Sequence, residues 1–235
     1  MNQKTALITG GTRGIGLAIA KTMQTVGFKV IITGTGDQPP RGLDFEYLSV
    51  DFSKPQSLSA FLSNLKTFKI DVLVNNAGIN MIAPYESIEE ADFDQIQRVN
   101  MKAPFQITQT VLPHMKNKRW GRVVNIASIF SQISKAHRAS YSTSKFGLDG
   151  LTTALAVEVA EFGILANCVS PGFIDTELTQ KILGEATINK LKQEIPMKRL
   201  GQAYEIAELV TFLCSEKNTY LTGQNIVIDG GFTRV

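Results

Sequence analysis

Tyr141 and Lys145 stand four residues apart in Tyr141-Ser142-Thr143-Ser144-Lys145, and on a helix that spacing sends both side chains out of one face. A phenol of ordinary pKa, near 10, is protonated at neutral pH and can give a proton to a carbonyl oxygen, but it needs a lower pKa to act as a base. An ammonium about 5 Å away, at an effective dielectric of about 20, stabilises the phenolate by roughly 3 kcal/mol, or about two pH units on its titration. The pair suits acid–base work on an oxygen. Ser128 follows the apolar run Arg122–Ala127. A hydroxyl at the C-terminal end of a parallel strand, where open α/β sheets collect ligands, can donate to that same oxygen. Taken alone, such a serine reads as a loop residue.

A second signal lies near the start of the chain, in Thr9-Gly10-Gly11-Thr12-Arg13-Gly14-Ile15-Gly16. Glycines there let the backbone approach a pyrophosphate, and the N-terminus of the following helix offers free N–H groups and a positive dipole end. The spacing Gly10-x-x-x-Gly14-x-Gly16 is not the better-known G-x-G-x-x-G, and alone it would also serve as a structural turn.

The elements that must position these groups follow from the alternation of short β-branched runs with longer amphipathic stretches, the pattern of repeated βα units. Seven strands are predicted, near Thr5–Thr9, Val30–Thr33, Tyr47–Val50, Asp71–Asn75, Arg122–Ala127, Ile164–Ser170 and Gln224–Ile228. Most are nearly continuous apolar runs, as expected of strands covered on both faces. Ile15, Ile19, Met23 and Val26 mark one face of a first helix that ends at Gly27. Two long helices are predicted, over Glu90–Lys116 with a kink at Pro104 and over Tyr141–Phe162 with Gly163 as terminator. Between the second and third strands, Gly34 to Asp44 carries Pro39, Pro40 and three glycines, which predicts a loop in place of a helix.

At 235 residues, 43% hydrophobic and 19% charged, the chain is expected to form a single domain over its whole length. A formal charge of +3 with no basic block does not point to nucleic acid. Cys168 and Cys214 are the only cysteines, and no Cys/His/Asp cluster has metal-ligand spacing, so neither a disulfide framework nor a metal is expected. The chain enters its first strand without a signal-like segment, and no apolar run reaches membrane-spanning length, so the expected location is cytoplasmic, away from membranes.

The motifs in their order, Thr9-Gly10-x-x-x-Gly14-x-Gly16, Asn75-Asn76-Ala77-Gly78, Asn100, Ser128, Tyr141-x-x-x-Lys145 and Pro171-Gly172, resemble the short-chain dehydrogenases/reductases over essentially the whole chain. Within that family the resemblance is to the reductases of 3-oxoacyl groups on acyl carrier protein. It implies a doubly wound Rossmann fold: one seven-stranded parallel sheet of order 3-2-1-4-5-6-7 with helices on both faces. It implies that a ketone and a secondary alcohol are interconverted by hydride transfer, with Tyr141 as general acid or base and Ser128 on the substrate oxygen. Lys145 would also bond the nicotinamide ribose, and Asn100 would hold a water for proton relay. The dinucleotide would lie on Gly10, Thr12, Arg13, Gly14, Ile15 and Gly16, with Asp51 at the adenine and Asn76, Ala77 and Gly78 at the adenosine ribose. Pro171, Gly172, the Ile174 backbone and Thr176 would hold the carboxamide, under a substrate lid at about 177–196.

NAD-selective relatives carry an acid at the end of the second strand, which bonds the ribose hydroxyls and repels a 2′-phosphate. That position is Gly34 here, and Arg13 and Thr35 could meet the phosphate, so NADP(H) is favoured. NAD(H) would be served by Asp37 swinging back on its glycine-flexible loop. Lys135, His137 and Arg138 precede Tyr141 and could attract an anionic substrate, although such a cluster is more often a solvated loop face. Of two arginines by which the family's carrier-protein reductases dock their partner, the first matches Arg119, but the second falls on Phe162, which puts an acyl-carrier-protein partner in doubt. The long helices imply a homotetramer by the same resemblance. A dehydrogenase of a sugar or other polyol with NAD is the second reading, and a noncatalytic nucleotide-binding regulator the third.

Overall fold

The computed structural model of the chain describes residues 3–235, less the side chains of Leu178 and residues 180–183. Seven parallel strands form the main sheet: β1 (Thr5–Ile8), β2 (Lys29–Gly34), β3 (Glu46–Ser49), β4 (Val72–Asn75), β5 (Gly121–Ile126), β6 (Ile164–Pro171) and, after two short strands, β9 (Asn225–Ile228). Their order is β3-β2-β1-β4-β5-β6-β9. This is the predicted topology, with the seventh sheet strand ninth along the chain. The two short strands, β7 (Ile174–Asp175) and β8 (Gly201–Gln202), pair with each other in parallel.

Alternate residues of each strand face opposite sides of the sheet, and both sides are apolar. Leu7, Ile31, Leu73 and Val123 face α2 (Pro55–Leu65), α4 (Ala103–Lys118) and α5 (Ala139–Val159), where Phe61, Ile107 and Val159 complete one core. Ala6, Ile8, Ile32, Val72, Val74 and Val124 face α1 (Gly14–Thr25) and α7 (Ala203–Cys214) in a second core with Ile19, Met23 and Val210. Each fully buried leucine or isoleucine contributes about 1.5–3 kcal/mol, which is why doubly covered strands carry few polar residues.

The irregularity expected at Pro104 lies in the turn that precedes it. The helix beginning at α3 (Glu90–Gln97) is interrupted by a π-helical turn over Arg98–Lys102, and Pro104 lies inside the first turn of α4. The backbone stays helical through Lys102 and Ala103, so the N–H that Pro104 lacks is missing from the turn that precedes it. The π turn carries Asn100, and such insertions re-aim a side chain without ending the helix. The segment between β2 and β3 contains no helix, as predicted. α6 (Glu177–Glu194) covers most of the predicted lid and is broken at Gly184 (φ 68°, ψ 161°), while the side chains of Leu178 and residues 180–183 lie outside the described residues.

Because all seven strands run parallel, the segments after β1, β2, β3, β4, β5 and β6 emerge along one edge of the sheet. The strand order reverses between β1 and β4, which opens a crevice there.

Candidate active site

At that crevice the glycine turn joins β1 to α1. Gly10 (φ 64°) and Gly14 (φ 54°) occupy backbone that L side chains rarely adopt. At Gly16 a Cβ would fall 2.3 Å from the Gly10 carbonyl oxygen, so the first turn of α1 lies directly on the loop. The loop is stapled to the segment after β4. Asn76 Nδ2 donates to the Thr9 and Gly10 carbonyls at 2.9 and 3.0 Å, and Thr9 Oγ1 accepts from the Asn76 and Ala77 amides. Arg13 caps α1 through its backbone without a side-chain bond to the helix, which leaves the first amides free. Thr176 Cγ2 lies 3.7 Å from where a Gly14 Cβ would project, so the segment after β6 faces the turn. A narrow backbone cradle at a helix N-terminus fits a dinucleotide pyrophosphate.

At the end of β2, a Cβ on Gly34 would fall 2.7 Å from Thr12 Cγ2 and 2.9 Å from Tyr47 Oη. Tyr47 is fixed there by donating to the Gly36 carbonyl at 2.5 Å. A side chain at position 34 would have to displace Thr12 and Tyr47, and the glycine leaves the end of β2 without an acid. Arg13, Thr35 and Asp37 are exposed, and Arg13 forms no ion pair among the described residues. Asp51 folds onto its own turn: its carboxylate accepts from Ser53 N and Oγ at 3.0 and 2.6 Å and pairs with Lys54. The Ser53 hydroxyl is the main cause holding that carboxyl below its usual pKa.

At the chemical end, Ser128 follows β5, and its Oγ accepts from the Phe130 amide at 3.2 Å, leaving the hydroxyl proton to donate elsewhere. Tyr141 lies in the first turn of α5, edge-on to Phe130 at 6.2 Å between ring centroids, with the Ser128 side chain near enough to bear on its pKa. Lys145, 4% exposed, donates to the Ile126 carbonyl at 2.8 Å, and burial pushes its pKa down to about 8. The expected lowering of the Tyr141 pKa by Lys145 is not found. Burial raises the phenol above its ordinary 10, opposed by the Ser128 side chain and by the charge of Arg138. Lys145 Nζ lies 5.6 Å from the Tyr141 ring centroid and turns toward the backbone of β5.

Asn100 reaches across from the π turn. Its Oδ1 accepts from the Ile79 amide at 2.8 Å, and its Nδ2 donates to the Ile79 carbonyl and to Ser144 Oγ. A Cβ on Gly78 would stand 3.4 Å from Asn100 Oδ1 and 3.7 Å from Lys145 Nζ, so these three residues converge. Ser128, Tyr141, Lys145, Asn100 and Gly78 therefore meet where β4 and β5 end, beside the glycine cradle. The enoyl-(acyl carrier protein) reductase family model, adh_short_C2, matches residues 10–233. The chain belongs to the short-chain dehydrogenase/reductase family.

Within the short-chain dehydrogenases/reductases, similar proteins are found over the full length. The 3-oxoacyl-(acyl-carrier-protein) reductase FabG of Aquifex aeolicus is 37% identical over 240 residues, with 97% of this chain and 96% of that protein covered. The acetoacetyl-CoA reductase of Cupriavidus necator is 36% identical over 244 residues, with 98% of each covered. Among solved structures, a gluconate 5-dehydrogenase from Burkholderia cenocepacia in complex with NADP and tartrate superposes with a TM-score of 0.91 at 30% identity, covering 100% of this chain and 97% of that one. The chain is thus an oxidoreductase of the class acting on CH–OH and ketone groups with NAD(P).

Several supporting residues of this family member were not singled out from sequence. Thr33 Oγ1 accepts from the Gly10 amide at 3.1 Å. Asn125 accepts from Asn75 and donates to Thr152, a buried ladder tying β4 and β5 to α5. Ser144, between Tyr141 and Lys145, accepts from Asn100 and donates to the Tyr141 carbonyl. Asn125 had a signal: like Asn75 of the motif, it is a polar residue near the end of an otherwise apolar strand, and their register matches.

Proposed function

We propose that the protein reduces a small ketone to a secondary alcohol with NADPH and works the same reaction backwards at higher pH. The observation carrying this reading is the convergence of Ser128, Tyr141, Lys145 and Asn100 beside a pyrophosphate cradle. The bound nicotinamide supplies hydride to the carbonyl carbon. Ser128 and Tyr141 donate to the carbonyl oxygen, and the Tyr141 proton passes to it as the alcohol forms. With its pKa raised by burial, Tyr141 is fully protonated at neutral pH, as reduction requires. Lys145 stabilises the phenolate left behind and holds the nicotinamide ribose. Asn100, bonded to the Ile79 backbone and Ser144, lines the route by which a proton returns. Gly10, Thr12, Gly14, Ile15 and Gly16 hold the pyrophosphate, Asn76, Ala77 and Gly78 the adenosine ribose and Asp51 the adenine. Pro171, Gly172, Ile174 and Thr176 hold the carboxamide, and α6 closes over the substrate. Exposed Arg13 and Thr35 take the 2′-phosphate, a preference supported by glycine in place of an acid at position 34 and by NADP in the Burkholderia cenocepacia neighbour.

Carrier-bound acyl chains are not the expected specialisation. Arg119 donates to the Glu161 carbonyl at 2.7 Å and stacks on Phe162, so the one matching docking arginine is engaged within the chain. Oxidation of a polyol or sugar acid is the second reading, favoured by the gluconate 5-dehydrogenase neighbour. A homotetramer is supported by exposed Phe105 on α4 and Phe146 and Val157 on α5. A cytoplasmic setting is supported by two free, buried cysteines. Loss of absorbance at 340 nm with a panel of small ketones, run in parallel with NADPH and NADH, tests the assignment. Turnover with no member of the panel, or faster turnover with NADH throughout, would reject it.

A further inference from the structure

Arg138 stands at the cap of α5, three residues before Tyr141. Its guanidinium carbon lies 5.7 Å from the centroid of Phe130, the ring that packs edge-on against Tyr141, so the three side chains share one wall. Two other arginines are held by several bonds each. Arg122 donates to the carbonyls of Gly121, Gly163, Ser215 and Asn218, and Arg199 forks onto Glu205. Arg138 differs: its Nη1 is buried without a hydrogen-bond partner, and among the described residues no carboxylate pairs with it. Burial draws its pKa downward, with Tyr141 the charge-coupled group opposing this. A second buried polar atom nearby is unmatched. Gln97 Nε2 donates to the carbonyl of Ser140, two residues from Arg138, while its Oε1 has no partner. A buried donor left unmet is costly, and more so when charged. The guanidinium is only partly covered, and its planar fork matches a carboxylate.

We propose that Arg138 is a specificity-determining residue, binding the carboxylate of a small oxo or hydroxy acid whose neighbouring carbonyl or hydroxyl is served by Tyr141. The proposal rests on the oxidoreductase reading above and narrows its substrate class to compact organic anions.

The test compares 3-oxobutanoate with its neutral methyl ester in the wild type, Arg138→Gln and Arg138→Lys. The wild type should prefer the acid. Arg138→Gln should lose about 10- to 150-fold in kcat/KM for the acid, the range for a hydrogen bond to a charged group, with the ester changed by less than about threefold. Arg138→Lys should recover part of the loss. Equal handling of acid and ester by the wild type, or an equal loss for both in Arg138→Gln, overturns the proposal. A readout independent of turnover is calorimetric titration of the NADP-saturated protein with butanoate and butanamide. Butanoate should bind at least about tenfold more tightly to the wild type and no better than butanamide to Arg138→Gln. Equal binding to the wild type overturns the proposal whether or not either ketone is reduced. Ester reduction that persists without any acid preference would leave the oxidoreductase reading standing while Arg138 loses its role.

Discussion

Replacing Lys145 with methionine should abolish turnover and yet raise stability at neutral pH relative to its effect at alkaline pH. Lys145 is buried, and its pKa falls from 10.5 to about 8 because desolvation disfavours the ammonium. In the unfolded chain the amine keeps its ordinary pKa. Between pH 8 and 10.5 the unfolded state therefore binds a proton that the folded state does not, and wild-type stability rises with pH across that window. At about 1.4 kcal/mol per pH unit the whole window amounts to about 3 kcal/mol. Below pH 8 both states are protonated and the full burden remains. Methionine removes the titrating group. It also leaves the Ile126 carbonyl without its 2.8 Å donor, a loss of about 1–3 kcal/mol that does not change with pH. The decisive quantity is a difference of differences: the stability of Lys145→Met relative to wild type should be about 2 kcal/mol more favourable at pH 7 than at pH 9.5. Urea unfolding followed by ellipticity at the two pH values measures it. Stability curves that run parallel for the two proteins would refute the reasoning, because the folded-state amine would then titrate as it does in the unfolded chain.

Two further outcomes are expected. Arg13→Ala should weaken NADPH binding by about 1.5–3 kcal/mol and leave NADH nearly unchanged, as fluorescence titration would register; a wild type that already binds NADH more tightly would contradict this and shift the selectivity to Asp37. With Arg119 folded onto Glu161 and Phe162, kcat/KM for a carrier-linked 3-oxoacyl substrate should match that for a free thioester mimic within about tenfold and vary little with salt. A steep fall between low and physiological ionic strength would reveal a charged docking patch instead.

The main sheet was legible because its strands are buried on both faces and read as short apolar runs. The glycine turn and the Tyr141–Lys145 pair were legible because local geometry alone relates their members. Residues whose roles depend on contacts distant in sequence were not. The π turn at Arg98–Lys102 lies within a continuous helical pattern, and Pro104 just beyond it is the one sign of irregularity in the sequence. The pairing of Ile174–Asp175 with Gly201–Gln202 involves strands too short to carry a period. Lys145 turns to the Ile126 carbonyl, 19 residues away along the chain. Arg138 reads in sequence as one member of a solvated basic loop, and only its position over Phe130 distinguishes it from exposed Lys135 and His137.

The most direct test is NADPH oxidation with an accepted ketone by wild type and Tyr141→Phe, together with NADPH affinity for each. The substitution removes the proton donor and keeps the ring that packs on Phe130. Turnover should fall by at least about a hundredfold while NADPH binding stays nearly unchanged. Retention of more than about a tenth of wild-type kcat by Tyr141→Phe would contradict proton transfer at Tyr141.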